Sequence, residues 1–353
     1  MRVVIAPDSL KGTATAADTA RAVRAGWLDE RPEDDVVTVP MADGGEGTID
    51  AFAAAHPAAE RVPVTVTGPD GTPVDTHWLR LPDGRAVVEL AATSGLPLLG
   101  GALRPETATS RGFGEAIAAA LDAGATGLVL GIGGSASTDG GRPVLEALGL
   151  TIDASGAVDR SALRPLPAGG VVVLSDVTSP LLGPTGAVAV FGQQKGITAD
   201  AAPAFEERLA GWARNLPEVD PSTPGAGAAG GVGFGLLAWG ATLAPGAPAV
   251  ADVLGLPALL DGADVVVTGE GRFDEQSAAG KVPTAVRLLA TEHAPGARVV
   301  LVAGEIEARL DDFAAAASLV VLATQTTGEP DDALRDPLRF ATIAGQRLAR
   351  LVG

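Results

Sequence analysis

Seven short runs rich in valine, leucine and isoleucine recur along this 353-residue chain, and most of them end in glycine, aspartate, glutamate or serine. They are "RVVIAPDS" (2–9), "DVVTVPMADGGEG" (35–47), "GLVLGIGGSAS" (127–137), "GGVVVLSDVTS" (169–179), "DVVVTGEGR" (264–272), "RVVLVAGE" (298–305) and "SLVVLAT" (318–324). A short continuous apolar run that stops at turn residues is the pattern of a strand buried on both faces, its C-terminal end feeding a loop. Alanine-rich stretches with helical character lie between them, among them Ala14–Glu30, Gly112–Ala123 and Thr284–His293. Strands alternating with helices require an α/β fold with largely parallel sheets.

One segment breaks the rule. Residues 61–95 alternate with a period of two and carry turn signals at Pro69-Asp70-Gly71 and Asp83-Gly84. This predicts an antiparallel meander. The length exceeds an ordinary single domain. The expectation is therefore two α/β domains: a doubly wound, flavodoxin- or Rossmann-like domain built from residues 1–60 and 245–353, interrupted by an inserted mixed α/β domain, 61–244, that holds the antiparallel segment.

Charge and composition bound the function. A net charge of −18 argues against nucleic acid or an anionic membrane, either of which needs a broad basic face. With no cysteine there is no disulfide or thiolate chemistry, and His56, His77 and His293 are too widely spaced for a histidine zinc site. The start "RVVIAP" is too short for a signal peptide and is interrupted by Asp8. The long uncharged stretch from Pro221 to Ala251 is rich in glycine and proline, so a small-residue loop entering a buried helix is expected rather than a membrane span. The chain reads as soluble and cytoplasmic.

Of 25 Lys+Arg only three are lysines: Lys11 in "DSLKG", Lys195 in "FGQQKG" and Lys281 in "AAGKVP", each beside glycine and off any clear amphipathic face. A compact ammonium with three rotatable donors suits a phosphoryl group that moves during reaction. "PMADGGEGT" (40–48) sets Asp43 and Glu46 around two glycines, a carboxylate pair for a hard cation or an ordinary acidic helix start. "GIGGSASTDGG" (131–141) joins strand to helix with Gly133, Gly134 and Ser135 placed to cradle an anion. "VTGEGRFDEQSAAGKVP" (267–283) gathers Glu270, Arg272, Asp274, Gln276 and Lys281 after a buried strand, where α/β proteins place ligands. Asp176 emerges from its own apolar run and reads equally as helix cap or general base. "GAGAAGG" (225–231) matches GxGxxG, but Pro221 and Pro224 precede it where a strand is needed, which weakens an NAD-dependent reading and leaves a phosphate or substrate loop.

Taken in order, "IAPDSLKG", "PMADGGEGT", "GIGGSASTDGG", "SDVTSPLLG", "VFGQQKG", "GAGAAGG" and "VTGEGRFDEQSAAGKVP" resemble the bacterial type I glycerate kinase family nearly end to end. The resemblance implies ATP-dependent phosphorylation of D-glycerate, typically to 2-phosphoglycerate, with Mg²⁺, in a cleft between two α/β domains of a monomer or homodimer. Kinase chemistry needs charge on the moving group, a metal and a base, so Lys11 and Lys281 are expected to contact phosphates or the glycerate carboxylate with Arg272 as a second carboxylate clamp, Asp43 and Glu46 to hold Mg²⁺ directly or through water, and Asp176 to orient and deprotonate the hydroxyl. Asp8, Ser9, Gly133, Gly134, Ser135, Lys195, Glu270, Asp274 and Gln276 complete the substrate and phosphate contacts. The chain departs from the family pattern at Thr138, at Arg142-Pro143 and at Gln193. A kinase for another small hydroxy acid, and a non-catalytic nucleotide or metabolite sensor, are the competing readings.

Overall fold

A computed structural model describes residues 1–10, 12–153, 156–275, 277 and 281–352. The chain divides into two compact units, the first made of Met1–Asp43, Asp50–Ala55 and Gly246–Gly353, the second of Gly44–Ile49 and His56–Pro245. In chain order the strands are β1 (Arg2–Pro7), β2 (Asp35–Thr38), β3 (Glu60–Thr67), β4 (Pro73–Arg80), β5 (Ala86–Glu89), β6 (Leu128–Gly131), β7 (Thr151–Ile152), β8 (Val158–Asp159), β9 (Val171–Leu174), β10 (Thr242–Ala244), β11 (Val265–Phe273), β12 (Arg298–Ile306) and β13 (Ala315–Ser318).

The first unit is a five-stranded, wholly parallel sheet in the order β13-β12-β11-β1-β2. Counted within the unit, this is the doubly wound order 2-1-3-4-5, whose switch point lies between β1 and β11. Val3, Val4, Ile5, Val265 and Val266 are fully buried, as central strands covered on both faces must be. One face is covered by the helices Ala16–Glu30 and Pro337–Leu351, which approach closely: a Cβ on Gly26 would stand 1.9 Å from the Thr342 carbonyl, and one on Gly345 2.2 Å from that of Val23. Thr15 caps the first of these helices by accepting from the Asp18 amide.

The second unit carries a six-stranded mixed sheet, β10-β9-β6-β5-β4-β3, beside a two-stranded β7-β8 ribbon. β10, β9, β6 and β5 are parallel, while β5-β4 and β4-β3 are antiparallel, as the period-two alternation predicts. The antiparallel run stops at Glu89. Residues Ala91–Ser94, expected within the meander, form a short helix. The stretch from Pro221 leads into the buried helix Ala228–Trp239, and among the described residues no helix is long and apolar enough to cross a membrane.

One expected strand is a helix. "SLVVLAT" (318–324) enters the helix Leu319–Thr327, and the strand beside it is the alanine run β13. The Ser318 hydroxyl accepts from the Val321 amide and Gly328 ends the helix in the left-handed conformation. Those two terminal signals outweigh the β-branched composition of a run too short to show its period.

Candidate functional site

In the first unit, β1 and β11 deliver two of the sequence motifs to the same end of adjacent strands. Asp8 and Ser9 follow β1 and are 2% and 5% exposed; the Asp8 amide donates to the Gly269 carbonyl at 2.8 Å, and the Ser9 amide to Asp8 Oδ1 at 2.7 Å. Lys11 and Gln276 lie outside the described residues. Glu270, on β11, is buried, and Lys281 Nζ stands 3.8 Å from its Oε2. Lys281 immediately precedes the helix Val282–His293, with Pro283 in the first turn.

Glu270, Arg272, Asp274 and Lys281 line one cavity of about 560 Å³, whose further walls include Leu319 and Leu334. It opens at the carboxyl ends of the strands beside the switch point, where doubly wound sheets receive ligands. Arg272 is exposed and its guanidinium is engaged by Glu307, with Nε donating to Oε2 at 3.0 Å, and Glu305 stands 3.9 Å away. A clamp on substrate therefore requires it to exchange those partners. Asp274 organises a turn, its Oδ1 accepting from the Ser277 amide at 3.2 Å.

In the second unit, the loop after β6 is held on three sides. The Gly133 amide donates to the Gly44 carbonyl at 3.0 Å, so this amide, expected as part of an anion cradle, is already committed. Leu96 N donates to the Gly134 carbonyl at 2.9 Å and Ala136 N to that of Ser94 at 3.0 Å. The amides of Gly134 and Ser135 donate to no described residue, and Gly134 has a φ of +77° that favours glycine. From the other side comes Lys195. It is 3% exposed, and its Nζ donates to Ser135 Oγ at 2.7 Å and to the Ser137 carbonyl at 2.6 Å. Burial pushes its pKa down to about 8, against the opposing charge of Asp139. Asp139 is pushed up by its own burial, although it accepts from Ser110 N at 2.7 Å, Ser110 Oγ at 3.0 Å and Gly141 N at 3.1 Å.

Gly133, Gly134, Ser135 and Lys195 share a second cavity of about 280 Å³, which Ser175 and Ala229 also line. The "GAGAAGG" motif is explained here by packing. Ala229, Gly230 and Gly231 are all left-handed, with φ of +55°, +69° and +91°. A Cβ on Gly230 would stand 2.1 Å from the Ser137 carbonyl and 2.8 Å from Lys195 Nζ, so only glycine lets this backbone reach the ammonium.

Asp43, Glu46 and Asp176 line neither cavity. Asp43 and Asp176 are half-buried, the latter two residues beyond β9, and Glu46 is exposed. Among the described residues no three of His, Asp and Glu converge as a metal-ligand cluster. A residue the sequence reading passes over is Glu89, at the end of β5. It is buried, and its carboxylate accepts from Gly47 N at 3.3 Å and Ile49 N at 3.1 Å, fixing the loop that contains Glu46. The available signal was a charged residue closing the apolar run "AVVEL".

Fold and cavities define an α/β protein of two units, each with a lysine beside a loop that follows a parallel strand. The sequence signature described as the glycerate kinase family matches residues 3–353. A glycerate 2-kinase of Escherichia coli (strain K12) is 41% identical over 330 residues, covering 87% of this chain and 86% of that protein. A glycerate kinase of Bacillus subtilis (strain 168) is 39% identical over 334 residues, covering 87% and 85%. The crystal structure of a provisionally named glycerate kinase 2 from Salmonella typhimurium LT2 superposes with a TM-score of 0.80 at 38% identity, covering 99% of this chain and 97% of that one. The chain belongs to the glycerate kinase family, and it is a kinase.

Proposed function

We propose that this kinase transfers the γ-phosphoryl group of ATP to D-glycerate, with 2-phosphoglycerate the favoured product and Mg²⁺ required. The observation that carries the reading is the Glu270–Lys281 pair beside the switch point of a parallel sheet, in a chain of this family. Phosphoryl transfer asks a protein mainly for positioning and for charge on the moving group. Lys281, steered by buried Glu270, supplies a cation at the wall of the larger cavity. Lys11, outside the described residues, would supply another.

Asp176 is assigned as the base. Its carboxylate takes the proton of the glycerate hydroxyl as that oxygen bonds to the γ-phosphorus; the bond from phosphorus to the bridging oxygen breaks and ADP leaves. Asp43 and Glu46 offer hard oxygen donors, which suit Mg²⁺. That ion commonly takes one or two carboxylates and completes its shell with phosphate oxygens and water, so it needs no larger protein cluster. When bound it neutralises charge on the transferring phosphates.

The test is ADP release by the purified protein with D-glycerate, ATP and Mg²⁺, followed by phosphorus NMR of the product. Turnover with a 2-phosphoglycerate signal is expected. Turnover only with another hydroxy acid would overturn the substrate, and a 3-phosphoglycerate signal would overturn the position.

A further inference from the structure

The cations near the two cavities differ in what surrounds them. Lys281 faces Glu270, and Arg272 is engaged by Glu307 and Glu305. Lys195 is buried and forms no ion pair with any described residue; its two acceptors are a hydroxyl and a carbonyl, both uncharged, and the carboxylate whose charge acts on it, Asp139, is itself buried and pushed toward its neutral form. A buried cation is costly unless an anion compensates it. Its ammonium has three N–H bonds, and the two described acceptors leave one. The cavity it lines is also lined by Gly134, Ser135, Ser175 and Gln194, residues that carry donors suited to an anion.

Size separates the two cavities. The first-unit cavity, at about 560 Å³, lies within the ~300–1,000 Å³ range of sites for drug-sized ligands, and its wall has the apolar patch of Leu10, Leu319, Val320 and Leu334 that a heterocyclic base can use. The cavity that Lys195 lines in the second unit, at about 280 Å³, falls below that range. It suits a small acid and not a nucleoside triphosphate.

From these observations we infer that the second-unit cavity is the acceptor site, with the buried Lys195 ammonium and the Gly134 and Ser135 amides receiving the carboxylate of the small hydroxy acid, and the first-unit cavity receiving the nucleotide. This rests on the functional reading above. It gives the substrate carboxylate to Lys195, one of the expected substrate and phosphate contacts, and leaves Lys11, Lys281 and Arg272 to the phosphates.

Calorimetric titration of the full-length protein tests the assignment, with D-glycerate and a non-hydrolysable ATP analogue titrated separately. Two variants are compared with the unaltered chain. Lys195→Met keeps the stem and removes the charge. Gln194→Glu, at an exposed position on the cavity wall, adds a like charge without touching the buried bonds. Both are expected to weaken D-glycerate binding, Lys195→Met by about tenfold to a hundredfold, the loss of one hydrogen bond from a charged donor, with the analogue bound as before. D-Glycerate affinity within about threefold of the unaltered chain in Gln194→Glu, or a loss confined to the ATP analogue in either variant, would overturn the assignment while leaving the kinase intact. An unaltered protein that neither binds D-glycerate nor releases ADP with it would overturn the functional reading, and this assignment with it.

Discussion

The amide of Gly133 donates to the carbonyl of Gly44 at 3.0 Å, clamping two glycine-rich loops backbone to backbone. A Cβ at position 133 would stand 2.6 Å from the Gly45 Cα, and neither backbone can yield without breaking the bond. Gly133→Ala is therefore expected to destabilise the protein by ~1–3 kcal/mol, the usual cost of overpacking, read as a lower denaturant midpoint at unchanged slope. An unchanged midpoint would show that the loops part without cost.

Asp176 follows a buried strand end and is half-buried. Asp176→Asn keeps the shape and removes the carboxylate proposed as base. The expected result is a kcat lower by ~10²–10⁴-fold with the melting temperature preserved. A kcat within a few-fold of the unaltered enzyme removes Asp176 from the role.

Lys195 sets a pH dependence whose sign differs between binding and stability. Its pKa in the folded chain is about 8, below its ordinary 10.5. Below pH 8 it is a cation and an anion binds without proton uptake; above, binding must take up a proton and weakens by about tenfold per pH unit. Between about 8 and 10.5 the unfolded chain holds more protons at this group than the folded one, so its contribution to stability rises with pH. D-Glycerate affinity should fall over the interval in which this contribution grows. A flat binding profile from pH 7 to 9 would contradict it.

Asp139 is the charged side chain acting on Lys195, and the left-handed segment packed on the ammonium brings backbone only. Because that carboxylate raises the lysine's pKa, Asp139→Asn should move the alkaline fall in D-glycerate binding to lower pH. A fall that stays in place would show that the carboxylate is protonated in the working range, the direction in which its own burial pushes it.

Much of this was readable in the residues. Valine-rich runs at 2–7, 128–131, 171–174, 265–273 and 298–306 became central strands, because burial on both faces leaves little choice of side chain. Residues 318–324 misled, since β-branched composition says little in a short run while the Ser318 cap and Gly328 decide it. The lysines stood out by their glycine neighbours. That Lys195 meets Ser135, 60 residues away, is a tertiary fact that no local pattern encodes. The partner of the Gly133 amide is equally out of reach of a local pattern, as its acceptor belongs to a loop 89 residues earlier in the chain.

Ala229 is the described non-glycine residue with a positive φ, +55°, and its place is the wall of the smaller cavity. The left-handed conformation costs an L-residue about 1–2 kcal/mol. Glycine would remove that cost but would forfeit about 0.4–1 kcal/mol by loosening the unfolded chain. The first exceeds the second, so the alanine on the cavity wall is held at a net cost of up to about 1.6 kcal/mol. The wall of that chamber therefore carries a carbon that folding alone would not select, and exchanging it for hydrogen would widen the space while making the protein slightly firmer.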